Sequence, residues 1–438
     1  MRSFTPRLLR ALRTSPNALR PHQLRSLSSE APPKKGPTPP RQIPTHTKSG
    51  IPRDADHGFF DRESEVIWDE DLPKPAPVPE GPVPETTGET IFSGIQPTGV
   101  PHLGNYLGAL KQWSRLQETN PDAKLIYCLV DLHAITKPQD PEQLRRWKKE
   151  SLATLLASGV DPKKATIFEQ SRVPEHSELQ WIFSTLIGIG PLSRMTQWKL
   201  NLVEAHTDLI IYGKSKEDLD NPSLKLGLLS YPVLQAADIL VHRATAVPVG
   251  EDQCQHLELA RDIARIFNHN YGATFPLPKT LLSPAKRIMS LTNPLQKMSK
   301  SDPQEKSKII LTDSEQVIKK KFYKAVTDNF ADMGIAIHPE QRPGLTNLIN
   351  IYTHMEGLSR TPEEVAEEFR DISYKELKEK CIEVVNRELE PFRKEYARLM
   401  QEDAYLEEVV LEGSRQAKES AVATMNLVRK AVGLSFPV

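Results

Sequence analysis

At 438 residues the chain is long enough for two or three domains and a sizeable core. Hydrophobic residues are 38% and charged residues 26%, and no apolar run reaches the roughly 18 residues of a membrane-spanning helix, so no membrane span is expected. Formal net charge is zero, so a nucleic-acid partner would need a local basic patch, and the scattered Cys128, Cys254 and Cys381 point to free thiols in a reducing compartment rather than to a zinc site.

Residues 1–29 carry six arginines (Arg2, Arg7, Arg10, Arg13, Arg20, Arg25) and no acid. Leu8, Leu9 and Leu12 lie at helical spacing beside three of them. An Arg-rich, acid-free, amphipathic start predicts a mitochondrial transit peptide, against the plainer reading of a basic tail. Its removal would leave the rest of the chain at −6. Residues 30–88 are crowded with prolines, among them Pro32, Pro33, Pro39, Pro40, Pro73, Pro75 and Pro77, a composition that cannot pack a core. A solvated linker is expected there, with Phe59, Phe60 and Trp68 as candidates for a short docking arm.

Thr90 to Gln117 predicts a strand, a turn rich in Gly and Pro, and a helix with Leu107, Leu110, Trp113 and Leu116 on one face. Such a turn presents free N–H groups and a positive helix end, a place for phosphate; Gly104 allows close approach, and His102 and Asn105 add donors. The spacing is not G-x-G-x-x-G, and an ordinary strand–turn–helix is an equal alternative on this stretch alone. Lys124 to Thr136 begins as a buried apolar run suited to a central parallel strand. Asp140, Pro141 and Gln143 then read as N-cap, N1 and N3 of a helix running to Ser158 and stopped by Gly159. Ala165–Gln170 is a strand and Ser177–Ile187 a helix.

Residues 201–227 are polar and irregular and read as an insertion or surface loop. Tyr231–Arg243 is expected as a helix, Ala246–Gly250 as a strand and Glu251–Asn268 as a helix. From Asp313 onward long helical patterns dominate, chiefly Tyr374–Met400 and Tyr405–Val432. The fold class expected is α/β: a Rossmann-like parallel-sheet catalytic domain at 89–312, followed by an α-helical domain at 313–438.

Two more stretches address a polyphosphate or nucleoside. Lys297-Met298-Ser299-Lys300-Ser301 places two lysines three apart between hydroxyls, although loop lysines are more often solvated surface charge. Gly250-Glu251-Asp252-Gln253 lies at a strand end entering a helix, where ligands sit in parallel sheets. Its acids either accept from ribose hydroxyls or an adenine amino group, or cap the helix, and both roles are compatible.

Taken together, residues 89–438 resemble the class I tryptophanyl-tRNA synthetases of the bacterial and organellar kind. His102-Leu103-Gly104-Asn105 resembles that family's H-I-G-H signature ending in Asn, and 297–301 is its K-M-S-K-S unchanged. Gly250 to Gln253 matches the G-E-D-Q of the tryptophan branch, and Tyr231 to Asp238 its amino-acid-binding helix. Phe92-Ser-Gly-Ile-Gln-Pro and Arg287-Ile-Met-Ser-Leu also match. Where some members have Asp-Gln-His, this chain has Asp131-Leu132-His133. The Arg-rich start and Gln235 resemble the mitochondrial branch.

The resemblance implies ATP-dependent charging of mitochondrial tRNA(Trp) with L-tryptophan, through an adenylate, with Mg²⁺, by a homodimer in the mitochondrial matrix. By the same resemblance, Gln96, Pro97, Thr98, His102, Gly104 and Asn105 hold ATP, and Gly250, Glu251, Asp252 and Ile288 frame the adenosine. Lys297, Lys300 and Lys199 neutralise the triphosphate, in a loop that includes Met298, Ser299 and Ser301. Tyr231, Gln235, Asp238 and Gln253 bind tryptophan against an apolar wall of Phe92, Val247 and Val249. The helical domain would read the anticodon arm. The competing readings are a tyrosyl-tRNA synthetase, against which Gly-Glu-Asp-Gln argues, and a non-catalytic RNA-binding descendant such as a splicing factor, against which His102, Lys297 and Lys300 argue.

Overall fold

The computed structural model describes residues 88–438 except Gln197, 199–224, 283–287, Ser301, Asn329, 331–333, 358–359 and 437–438. The expected leader, the Pro-rich stretch through residue 87, Lys199, Ser301, Arg287 and most of the expected insertion therefore lie outside the described residues.

Five strands form one parallel sheet in the order β3-β2-β1-β4-β5. They are β1 (Thr90–Ile95), β2 (Lys124–Leu129), β3 (Ala165–Glu169), β4 (Ala246–Val249) and β5 (Lys279–Leu282). Side chains alternate across the sheet, as a period of two requires. Ile91, Leu125, Tyr127 and Ile167 enter one core; Phe92, Ile126, Cys128 and Phe168 enter the other. Both faces are covered, which explains why the central strands read as unbroken apolar runs.

The first crossover is one helical run, α1: Leu103–Asn105, a π-helical turn over Tyr106–Leu110, then Lys111–Thr119. The four residues expected on its apolar face are all buried. A short α2 (Asp131–Ala134) follows β2. In α3 (Pro141–Ala157) the Asp140 side chain accepts from the Gln143 N–H at 2.8 Å, and Gly159 ends the helix with a φ of +92°, where glycine avoids the Cβ clash. After β3 come α4 (Glu175–Ser184) and α5 (Ile189–Ser193). Next come α6 (Leu226–Val241) and, past β4, α7 (Cys254–Tyr271).

Two expectations need correction. The helix expected from Tyr231 begins five residues earlier, at Leu226. Pro232 lies inside it, and a proline next to Tyr231 imitates an N1 start. Strand β5 was not expected: four partly exposed residues at a sheet edge carry no alternation.

The remaining helices are α8 (Glu315–Tyr323), α9 (Pro343–Glu356), α10 (Pro362–Glu368), α11 (Tyr374–Leu399) and α12 (Asp403–Ala431). The helical C-terminal region returns to the sheet through α12. Leu406, Val409 and Val410 of α12 pack in the first core, and Ala417, Ala421, Met425 and Val428 in the second. The helix thus wraps the β3 edge. Where it crosses, an added Cβ on Gly413 would lie 1.8 Å from the Ile167 carbonyl oxygen, so only glycine fits. Thr166 donates to Gln416 at 2.9 Å, and Arg429 holds Glu178 of α4 through two bonds.

Candidate active site

The carboxyl ends of β1 and β4 open into a cleft of about 860 Å³, lined by Phe92, Gln96, Thr98, His133, Tyr231, Gln235, Asp238, Val247, Val249, Asp252, Gln253, His256, Ser299 and Lys300 among others. Sheet order reverses direction between β1 and β4, and parallel sheets bind ligands at such a point.

One end of the cleft is built from the turn after β1 and the segment 297–311. Antiparallel bridges join His102 to Ile310 and Met289 to Lys297. Leu103 N–H donates to the Ile309 carbonyl at 2.8 Å, and Leu311 N–H to the Pro101 carbonyl at 3.1 Å. The two phosphate-directed stretches are thereby held side by side. The Lys300 ammonium donates to the Gly99 carbonyl at 2.8 Å. Burial pushes Lys300 down to about 8. Lys308, which the sequence reading did not single out, donates to the carbonyls of Lys300 and Asp302, both at 2.6 Å, and so ties the loop to itself. Lys297 pairs with Asp252 at 3.3 Å, both half-exposed. Although partial burial opposes it, the Lys297 charge holds the Asp252 carboxyl below its ordinary value.

His102 is buried and caps α1: its Nδ1 accepts from Asn105 N–H at 3.3 Å while Asn105 Oδ1 accepts from His102 N–H at 3.2 Å. Burial, then the charges of Lys300, Lys297 and Lys308, push His102 down to about 3, so it is a neutral ring near pH 7. Gly104 has a use the sequence did not reveal. A Cβ there would stand 3.0 Å from His102 Cε1 and 3.1 Å from Nδ1, so glycine makes room for the folded-back imidazole. Neither residue lines the cleft wall. Ile288 and Met298 are core residues, 3% and 2% exposed, and the Met298 N–H donates to the Ile288 carbonyl at 3.0 Å.

At the other end, Gln253 Oε1 accepts from Gln235 at 3.1 Å and from His256 Nδ1 at 3.0 Å. An amide oxygen only accepts, so His256 carries its proton on Nδ1, and Nε2 accepts from the Tyr231 hydroxyl at 3.1 Å. Burial pushes His256 down to about 4, in keeping with a neutral ring. The four side chains form one polar row from α6 to α7.

Asp238 is 1% exposed. His133 Nε2 lies 2.8 Å from its Oδ2; Gln170 Nε2 and His176 Nδ1 lie 2.6 and 2.7 Å from its Oδ1. Burial alone would raise this carboxyl, but the hydrogen bonds from His133 and His176 outweigh it and hold Asp238 well below the usual range. Of the residues expected to meet tryptophan, Phe92, Tyr231, Gln235, Asp238, Val247, Val249 and Gln253 all line the one cleft. His256, Gln170 and His176 were missed. His256 carried a local hint, three residues after Gln253 on one helix face, whereas Gln170 and His176 carried none.

The parallel sheet with its paired signature loops is the catalytic scaffold of a class I tRNA synthetase. A family model described as tRNA synthetases class I (W and Y) matches residues 86–390. A mitochondrial tryptophan–tRNA ligase of Saccharomyces cerevisiae is 45% identical over 352 residues, covering 78% of this chain and 90% of its own. Its counterpart from Schizosaccharomyces pombe is 43% identical over 350 residues, covering 79% and 95%. Among solved structures, tryptophanyl-tRNA synthetase from Mycoplasma pneumoniae is similar with a TM-score of 0.70 and 32% identity, covering 80% of this chain and 99% of that one. The chain belongs to the tryptophanyl-tRNA synthetases, on the side of the mitochondrial type.

Proposed function

We propose that the chain attaches L-tryptophan to mitochondrial tRNA(Trp) in two steps. The tryptophan carboxylate attacks the α-phosphate of ATP, the bond to pyrophosphate breaks, and the 3′-terminal ribose of the tRNA then takes the acyl group from the adenylate. The observation that carries this reading is the single cleft that runs from Asp238 to Ser299 and Lys300. It offers a buried acceptor at one end and a cation beside a hydroxyl at the other.

In this scheme Asp238 accepts from the indole N–H, and Phe92, Val247 and Val249 form the wall against the ring. The row of Tyr231, Gln235, Gln253 and His256 faces the amino acid's polar end. Gln96, Thr98 and Asp252 face the nucleotide, with Pro97, Asn105, Gly250 and Glu251 contributing from the same turns. Lys300 and Lys297, with Lys199, meet the triphosphate. The reaction depends on positioning and on meeting developing charge; no side chain forms a covalent intermediate. Among the described residues no group of three or more His, Cys, Asp or Glu is placed to hold a metal ion. Mg²⁺ bound with the triphosphate would help Lys300 and Lys297 neutralise its charge. Residues 1–29 direct the chain to the matrix, the helical region at 313–438 reads the anticodon arm, and two copies assemble as a dimer.

Amino-acid-dependent exchange between ATP and labelled pyrophosphate, run with each of the twenty amino acids, tests this. Tryptophan alone should support exchange; exchange with tyrosine instead, or with none, overturns the reading.

A further inference from the structure

Asp238 does not stand free at the cleft wall. An ionised carboxylate only accepts, with about two lone-pair sites on each oxygen. Oδ1 receives two donors, Gln170 and His176, while Oδ2 receives one, His133. Three of four sites are filled from within, and the fourth is on Oδ2. Asp238 and His133 line the cleft; Gln170 and His176 are 0% exposed and do not.

The two hidden donors are themselves oriented. Gln170 Oε1 accepts from the Leu132 N–H at 3.1 Å, so its NH₂ must face Asp238. His176 Nε2 lies 3.2 Å from His242 Nε2. Burial pushes His242 well below the usual histidine range, so it is neutral with a single ring proton. Its Nδ1 is buried with no hydrogen-bond partner among the described residues. A proton on Nδ1 would be an orphaned buried donor and would leave two bare nitrogens facing each other, so it sits on Nε2 and donates to His176. His176 then accepts at Nε2 and donates from Nδ1. Phe92 stacks on His242 with ring centroids 5.8 Å apart, and Phe168 packs edge-on at 5.5 Å, so the relay is walled by apolar rings.

We propose that Gln170 and His176 are specificity-determining positioning residues, which fill Oδ1 of Asp238 and leave one acceptor site, on Oδ2, for a ligand ring that carries a single N–H. The inference rests on Asp238 being the reader of that N–H. With either hidden donor gone, Oδ1 keeps an unmet site and one bond fewer holds the carboxylate in its orientation. Selection for the N–H then weakens although no residue touching the ligand has changed.

The test is pyrophosphate exchange with tryptophan and with its sulfur isostere, which lacks the N–H, in full-length protein. An amide pair separates position from mere polarity: Asn at 176 keeps a donor near Nδ1, and Gln moves it to the Nε2 position. His176→Gln and Gln170→Leu should lower the preference for tryptophan by roughly tenfold, the scale of one lost hydrogen bond to a charged group. KM for ATP should be unchanged, and His176→Asn should keep the preference. Asp238→Ala, which removes the acceptor, is the control for the underlying reading: if it keeps the preference, Asp238 is not the reader. If Asp238→Ala loses the preference while His176→Gln and Gln170→Leu keep it, or if the Asn and Gln variants of His176 behave alike, the positioning role is refuted. The polar amide pair carries the test even where Gln170→Leu fails to fold.

Discussion

Lys300 is charged in the free enzyme only part of the time, and ATP should change that. Its ammonium is tucked under the Gly99 carbonyl, and burial brings it down to about 8. At pH 8 about half of the molecules carry the charge, and at pH 7 about nine in ten. A bound triphosphate favours the charged form, so ATP binding at pH 8 should take up about half a proton through this residue, falling to about a tenth at pH 7. Calorimetry of ATP binding in two buffers of different ionisation enthalpy measures the uptake directly. Lys300→Met keeps the stem and removes the charge; it should abolish that half proton and slow adenylate formation by roughly 10²-fold, by analogy with loss of one donor to a developing anion. The stability sign follows from the same shift. The folded value lies below the ordinary 10.5, so the unfolded chain binds more protons between pH 8 and 10.5. The charged buried lysine therefore opposes folding below pH 8, and the opposition is relieved as pH rises through that window. Equal proton uptake by wild type and Lys300→Met at pH 8 would refute the argument.

Three further outcomes are expected. Asp238→Ala should lower kcat/KM for tryptophan by roughly 10²-fold or more, the range for a charged hydrogen bond; a change below threefold in exchange kinetics contradicts this. Gly413→Ala puts a Cβ 1.8 Å from the Ile167 carbonyl oxygen, where C···O contacts settle at about 3.3 Å. The helix must retreat by about 1.5 Å, at a cost of at least ~3 kcal/mol because the obstacle is backbone; a denaturant midpoint equal to wild type would show the crossing is looser than this. A reporter fused to residues 1–29 should reach mitochondria and should stay outside when all six arginines are replaced by glutamine; import without them contradicts the leader reading.

What could be read from the chain alone was what is written locally. The N-cap of α3 needs only Asp140, Pro141 and Gln143, and they lie within four residues. The alternation that sends Ile91 to one core and Phe92 to the other is likewise local. The Asp238 constellation is not: its donors come from α2, the turn after β3, and α4, between 62 and 105 residues away, and no spacing rule links them. The resemblance sets Ile288 against the adenosine and Met298 in the triphosphate loop, whereas folding turns both side chains into the core. Pro232 misplaced a helix start because a proline in the second turn and a proline at N1 look alike in one dimension.

The position of α12 also sets a timetable. Strand β3 ends at Glu169, and the helix that covers its edge begins at Asp403. Roughly 230 residues separate them, which at about 5–20 residues per second is some ten to fifty seconds of synthesis. Throughout that time the sheet has an unfilled edge and two cores each lacking one wall. A chain emerging from a ribosome, or drawn head-first through a narrow pore, cannot close the two faces of its sheet until residues 403–431 arrive. Native folding therefore waits on that helix, and the open β3 edge is the surface that a holding chaperone would need to shield in the interval.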